Sequence, residues 1–249
     1  VTGKQIESRS WEHCRALLFD KDGTLLNFRL MWLGWCREVI QAMGPTYRPG
    51  DVESCLSAWG VDLALGSIEP DGHLAIGSTA DLQQSLCGKM ISEGFCSTNP
   101  GEEVLQAMQQ AYRLVEEKKL VQVIDGVDET IKELHHRGYL LAVVTTDDAA
   151  KAEDNLRTMG IEHYFSAVLG CDLVKNCKPA PDLVFEACHV LGVEPGETAV
   201  IGDTVADILM GRAAGTACNI GVASGVTSPA DLAGHADIVL ESAASMIKK

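Results

Sequence analysis

Four short polar patches carry the residue types that can do chemistry. Phe19-Asp20-Lys21-Asp22-Gly23-Thr24 follows the apolar run Ala16-Leu17-Leu18, and Thr145-Thr146-Asp147-Asp148 follows Leu141-Ala142-Val143-Val144. Lys178-Pro179 stands just before a helix that Pro181 opens, and Gly202-Asp203-Thr204-Val205-Ala206-Asp207 follows Val200-Ile201. Three or four carboxylates gathered in one place repel one another strongly unless a hard cation sits among them. Oxygen donors with positions left over for water and phosphate favour Mg2+. Asp20, Asp203 and Asp207 bring three negative charges when ionised, and Mg2+ with Lys178 balances them. Such a site accepts an anionic phosphoryl group; without both cations it rejects one.

The elements that must position these patches are legible from residue 121 onward. Helix-like segments alternate with short apolar strands, each helix stopped by a glycine. Asp128–Arg137 reads as a helix stopped by Gly138, and Tyr139–Thr145 as the next strand. Ala149–Met159 is a helix before Gly160, followed by the strand Ser166–Gly170. Pro181 opens a helix that Gly192 ends, Thr198–Gly202 is a strand, Val205–Ala214 a helix ended by Gly215, and Cys218–Val222 a strand. Asp237–Leu240 reads as a last strand and Ser242–Lys249 as a closing helix. Proline inside a helix start and glycine past its end are the expected asymmetry. Fully apolar strands alternating with helices mean crossover units on a parallel sheet, and ligands of such sheets bind at the carboxyl ends of the strands. Ala16–Asp20 supplies one further strand.

Between Asn27 and Lys119 the grammar changes to helical periodicity. Leu30, Leu33, Cys36, Val39, Ile40 and Met43 mark one apolar face; Leu82, Leu86, Met90 and Ile91 mark another; Val104, Leu105, Met108, Leu114 and Val115 mark a third. Gly66–Gly77 reads as a loop or short hairpin. The expected organisation is therefore a core of residues 11–26 and 120–249 with a helical insert over residues 27–119.

Composition bounds the partners. At 249 residues, 46% hydrophobic and 22% charged, the chain has ample material for a core. Twenty Lys and Arg against 35 Asp and Glu leave a net charge of −15, which repels a phosphate backbone, and no basic stripe reverses it locally. Neither nucleic acid nor a membrane is an expected partner, and no apolar run reaches the length of a membrane span. The nine cysteines are scattered without a C-x-x-C pair, a spacing that suits neither a zinc site nor a disulfide framework. With no charged-then-apolar leader before Trp11, the expected setting is reducing and cytoplasmic.

The order D-x-D-G-T, an apolar run ending in Thr, K-P, then G-D-x-x-x-D resembles the haloacid dehalogenase superfamily, in its phosphoglycolate-phosphatase-like branch. The resemblance implies an α/β fold, a Rossmann-like parallel sheet with an inserted α-helical cap. It also implies a Mg2+-dependent phosphatase of small phosphorylated metabolites. Asp20 would be the nucleophile that forms an aspartyl-phosphate, and Asp22 the acid and base. Mg2+ would be held by Asp20, the main-chain carbonyl of Asp22 and Asp203, with Asp207 orienting its waters. Thr145 and Lys178 would hold the transferring oxygens, with Gly23, Thr24 and Thr146 at the phosphate pocket. Thr24 and Thr145 lie 121 positions apart, but Thr145 and Lys178 only 33, so the cap falls in the first gap. Lys21 gives the first motif a likeness to the D-K-T-G-T of ion-pumping ATPases, which keep Thr at the position of Asp22 and need membrane spans.

Plainer readings stand beside these. Asp207 also fits the first turn of a helix, where the dipole favours it, and Thr145 a β-branched strand end. In the insert, Trp32 and Trp35 read as core packing before a substrate floor, and Arg29 as a surface cation before an anion contact. His73, Ser78 and Thr79 lie in or beside a candidate substrate-reading loop. Two alternative functions remain: a phosphomutase of the β-phosphoglucomutase type, and a non-catalytic phosphate-binding or regulatory protein whose Asp20 stays phosphorylated.

Overall fold

The structure, a computed structural model, describes residues 10–95 and 99–247. In chain order, β1 (Ala16–Phe19) is followed by α1 (Phe28–Met43), α2 (Pro49–Cys55), β2 (Val61–Asp62), β3 (Ser67–Ile68) and α3 (His73–Ile76). Then come α4 (Thr79–Ser92), α5 (Pro100–Glu117), α6 (Val127–His136), β4 (Leu140–Val144), α7 (Ala149–Thr158) and β5 (Ala167–Leu169). The chain continues through α8 (Asp182–Leu191), β6 (Thr198–Gly202), α9 (Val205–Ala214), β7 (Cys218–Val222), α10 (Pro229–Ala233) and β8 (Ile238–Leu240). Among the described residues two compact units result, one made of the chain up to residue 27 together with residues from 123 onward, the other lying within residues 28–122.

The first unit is a Rossmann-like α/β fold. Its six strands run in the order β5-β4-β1-β6-β7-β8, and every pairing is parallel. Alternation along the strands divides the core in two. Leu17, Phe19, Leu141, Val143, Ala199 and Ile201 pack on one face of the sheet. Ala16, Leu18, Ala142, Val144 and Val200 pack on the other. Both faces are covered, as the continuous apolar runs require. The register puts Phe19 level with Val143 on one side and Ile201 on the other. The residues that follow these strands therefore emerge together at one edge. Because β4 and β6 flank β1 on opposite sides, the crevice at which the chain changes direction opens at the end of β1.

Helix ends follow their signals. Gly215 closes α9 in the left-handed region at φ 78°, where a side chain is disfavoured. The expected closing helix over Ser242–Lys249 is instead one 3₁₀ turn, Ala243–Met246. Ala243, Ala244 and Met246 are buried, so this turn serves as a plug on the sheet face rather than as an amphipathic helix. Lys248 and Lys249 lie outside the described residues.

The second unit is mainly helical. Trp35 and Trp59 stack at its centre with ring centroids 5.1 Å apart. The Trp35 Nε1–H donates to the Met108 carbonyl at 3.2 Å, and the Trp59 Nε1–H to the Leu82 carbonyl at 2.8 Å. A buried indole needs such a partner. Leu82, Leu86 and Met90 form the buried stripe of α4, whereas Ile91 is 52% exposed, because it lies one helical step round from Met90 and off that stripe. On α1 the tryptophans and Met31 take the middle of the buried face, and Leu30 and Leu33 are left at its margins. Residues 120–122 go with this unit, where Leu120 sits over Gly34 of α1. The glycine-rich stretch contains part of the β2–β3 hairpin, followed by α3.

The cysteines depart from expectation at one point: Cys171 and Cys177 form a disulfide, with Cα atoms 5.3 Å apart. They lie six positions apart in the loop between β5 and α8, and the turn of that loop rather than a recognisable motif brings them together. Cys14, Cys36, Cys55, Cys87, Cys188 and Cys218 are free thiols, and Cys96 lies outside the described residues. Among the described residues no helix is long and apolar enough to cross a membrane.

Candidate active site

The two central strands deliver the site. Asp20 follows β1 directly, and its N–H donates to the Ile201 carbonyl of β6 at 2.8 Å, which fixes it against the neighbouring strand end. Asp203 follows β6, and Asp207 sits in the first turn of α9. All three are buried, and each offers a carboxylate oxygen within 4.8 Å of the others. Lys178 comes from the loop before α8, 158 positions from Asp20. Its Nζ donates to Asp20 Oδ1 at 2.5 Å and stands 2.6 Å from Asp207 Oδ1.

Asp207 satisfies both of its sequence readings. Its Oδ2 accepts from the Thr204 N–H at 3.0 Å and the Thr204 hydroxyl at 2.6 Å, closing a capping box on α9. Its other oxygen faces Lys178. One carboxylate thus anchors the helix start and borders the site.

The charges at the site are unbalanced. Burial pushes the Asp20 carboxyl up to about 7; Lys178 opposes this shift, while Asp207 and Asp22 add to it. Asp203 is raised well above the ordinary carboxylate range by burial first, then by Asp20 and Asp207. Burial alone would depress Lys178, but the attraction of Asp20 and Asp207 outweighs it and holds the ammonium above its usual value. One lysine does not neutralise three carboxylates. Asp203 Oδ2 accepts from the Val226 N–H at 3.0 Å, yet its Oδ1 is buried with no hydrogen-bond donor. A buried orphan oxygen beside two further carboxylates fits a divalent, oxygen-seeking cation.

Backbone geometry keeps the space small. Gly23 has φ 80°, and a Cβ there would lie 2.6 Å from Asp203 Oδ2 and 2.8 Å from the Gly225 Cα. Only glycine combines that conformation with that closeness. A Cβ on Gly225 would likewise overlap Asp203. Thr145 ends the run of β4 buried, its N–H donating to the Leu169 carbonyl at 2.9 Å and its Oγ1 accepting from the Asp147 N–H at 3.2 Å. Thr24 is buried with an unpartnered hydroxyl, whereas Thr146 is exposed. In the second unit, Trp32 and Trp35 are core residues. Arg29 donates to the Gly66 carbonyl at 3.2 Å, and Ser78 caps α4 through a capping box with Asp81.

Sequence reading missed the surroundings of Asp203 and Asp22. Ser224, whose hydroxyl donates to the Gly23 carbonyl at 2.7 Å, and Gly225 come from the loop after β7, which carried no motif. Lys21 is fully buried, with its Nζ 2.5 Å from Asp22 Oδ2, 3.0 Å from Asp147 Oδ2 and 3.2 Å from Asn155 Oδ1. The place of Lys21 between Asp20 and Asp22, at the end of the apolar strand β1, was the available signal.

A Rossmann-like sheet with buried aspartates at the ends of its two central strands, and a lysine reaching them from the loop before α8, defines a class of α/β protein whose ligands bind at that edge. The family follows from comparison with known proteins: residues 14–215 match the haloacid dehalogenase-like hydrolases, and the chain belongs to that family and is a hydrolase. The pyrophosphatase PpaX of Halalkalibacterium halodurans is 30% identical over 200 residues, 80% of this chain and 79% of that protein. The phosphoglycolate phosphatase of Haemophilus influenzae is 29% identical over 201 residues, 80% of this chain and 81% of that one. A solved haloacid dehalogenase-superfamily hydrolase of subfamily IA from Geobacter sulfurreducens shares the fold with a TM-score of 0.64 at 20% identity, over 94% of this chain and 95% of that one.

Proposed function

We propose that the protein is a Mg2+-dependent phosphatase that hydrolyses small phosphorylated metabolites through a phospho-aspartate on Asp20. The observation that carries this reading is the contact of Asp20 with Lys178 inside the Asp20–Asp203–Asp207 cluster. A carboxylate held by a lysine and sharing its surroundings with two others is arranged to attack an electrophilic anion once the charge is balanced. The names of the curated relatives, a pyrophosphatase and a phosphoglycolate phosphatase, support a small, multiply charged substrate.

Asp20 attacks phosphorus in line, forming a new P–O bond as the bond to the leaving alkoxide breaks. Asp22 gives that alkoxide its proton. Asp22, now ionised, takes a proton from the water that attacks the aspartyl-phosphate, and inorganic phosphate leaves as Asp20 is restored. Lys178 opposes the burial that would protonate Asp20 and offers an ammonium to the transferring oxygens. Gly23 keeps the approach to Asp203 open, while Thr145 supplies a hydroxyl at the neighbouring strand end. Mg2+ would be held by Asp20, Asp203 and the main-chain carbonyl of Asp22, with Asp207 beside it, and would supply the remaining positive charge. Residues 28–122 have the role of the helical cap insert.

The test is steady release of inorganic phosphate from an aryl phosphate and from a panel of phosphorylated metabolites, with Mg2+ and with chelator. Mg2+-dependent turnover that disappears in Asp20→Asn is the expected result. Undiminished release by that variant overturns the assignment of Asp20. Isomerisation of a sugar phosphate dependent on a bisphosphate activator would make the protein a mutase. A phospho-Asp20 that persists for hours in the intact protein would make it a phosphate-binding regulator.

A further inference from the structure

Lys21 is among the largest fully buried side chains of the protein, and it carries a charge. Desolvating an ammonium is expensive, and an apolar side chain of equal volume would commonly do as well for stability. Its partners explain why it is there. Its Nζ meets Asp22 Oδ2 at 2.5 Å from the β1 loop, Asp147 Oδ2 at 3.0 Å from the β4 loop, and Asn155 Oδ1 at 3.2 Å from α7. Asp147 also stands 3.6 Å from Lys151 and donates its N–H to Thr145 Oγ1. The ammonium therefore ties the Asp22 carboxylate to the segment that carries Thr145. Two carboxylates converge on it, and they would repel each other if it were absent.

We propose that Lys21 is a positioning residue: through the Lys21–Asp147–Asn155 network it holds Asp22 in the orientation that delivers a proton to the leaving oxygen. This inference rests on the reading of Asp20 as nucleophile and Asp22 as proton donor. Lys21 itself touches no reacting atom. In kcat/KM its effect appears only where the leaving group needs a proton, because the later hydrolysis of the aspartyl-phosphate, in which Asp22 acts as base, does not enter that ratio.

The experiment compares kcat/KM for an alkyl phosphate, whose alkoxide leaves poorly without a proton, with that for dinitrophenyl phosphate, whose phenolate leaves unaided. Both values count steps only as far as release of the leaving group. Lys21→Met is expected to lose about 100-fold on the alkyl ester, the lower end of what a positioned acid contributes, and less than about threefold on the aryl ester. A parallel loss on both esters, or no loss on either, overturns the proposal, because a merely structural role would not discriminate between leaving groups. Asp147→Asn, a milder change, repeats the test should Lys21→Met fail to fold. A smaller difference of the same sign supports the proposal, and parallel losses refute it. Asp22→Ala is measured alongside. If Asp22→Ala discriminates and the network variants do not, Lys21 alone is misassigned; if Asp22→Ala itself does not discriminate, the role of Asp22 falls and this inference with it.

Discussion

With metal chelated, the aspartate cluster should make the protein less stable as pH rises from 5.5 to 7.5. An unfolded aspartate ionises near 3.8, while folded Asp20 is raised to about 7 by burial and by the neighbouring Asp207 and Asp22, against the pull of Lys178. Between those two values the folded state holds a proton that the unfolded state has lost, so stability falls with pH and levels off above about 7. Each pH unit in that window is worth about 1.4 kcal/mol per proton. From pH 5.5 to 7 the expected fall is therefore about 2 kcal/mol from Asp20 alone. Asp203, raised in the same direction, adds to it. Urea unfolding in chelator at several pH values measures the slope, and Asp20→Asn in parallel isolates the part due to Asp20 together with its coupling to Asp203. Saturating Mg2+ should reverse the fall, contributing about 2.7 kcal/mol at a hundred times its Kd, and more strongly at pH 7.5 than at 5.5 because protons no longer compete. A wild-type slope equal to that of Asp20→Asn, or stability rising with pH relative to it, refutes the argument that burial and mutual repulsion load this cluster.

Lys178→Met leaves Asp20 and Asp207 without their shared cation. It should destabilise the metal-free protein at neutral pH by about 3–5 kcal/mol in urea unfolding and cut phosphate release at least about 100-fold. Gly23→Ala forces a side chain into φ 80° and against Asp203 Oδ2. A loss of about 1–2 kcal/mol and a weakened Mg2+-induced rise in the unfolding midpoint are expected, and an unchanged metal response would show that Asp203 can yield. Trp59→Ala removes the stack on Trp35 and the hydrogen bond to Leu82. It should cost about 3–5 kcal/mol in the unfolding of the helical unit; a change below about 1 kcal/mol would mean this core collapses around the gap.

Much of the first unit was readable because its signals are local. The bounds of β6, α9 and β7 coincide with those expected from apolar runs, a helix start and Gly215, since periodicity and stop residues act over a few positions. The helical unit was readable only in outline. Its apolar faces were visible, but on α1 large aromatic side chains took the buried centre and left Leu30 and Leu33 at the margins, a choice made by packing volume rather than pattern, while Ile91 fell off the buried stripe of α4. The Cys171–Cys177 bond likewise depends on how a loop turns between β5 and α8.

The chain on its own determined the inventory: which carboxylates and which lysine end which segments, and in what order, because each is written beside the strand or helix start that presents it. Only the tertiary structure decided the company they keep. Strand order, set by covering both faces of one sheet, placed Lys178 against Asp20 across 158 positions and ran β6 alongside β1. It also put Asn155, to the eye one more polar residue on a surface helix, against a buried lysine. An ion pair taken out of water is stable only where the whole fold closes around it, and no local stretch of residues encodes that closure.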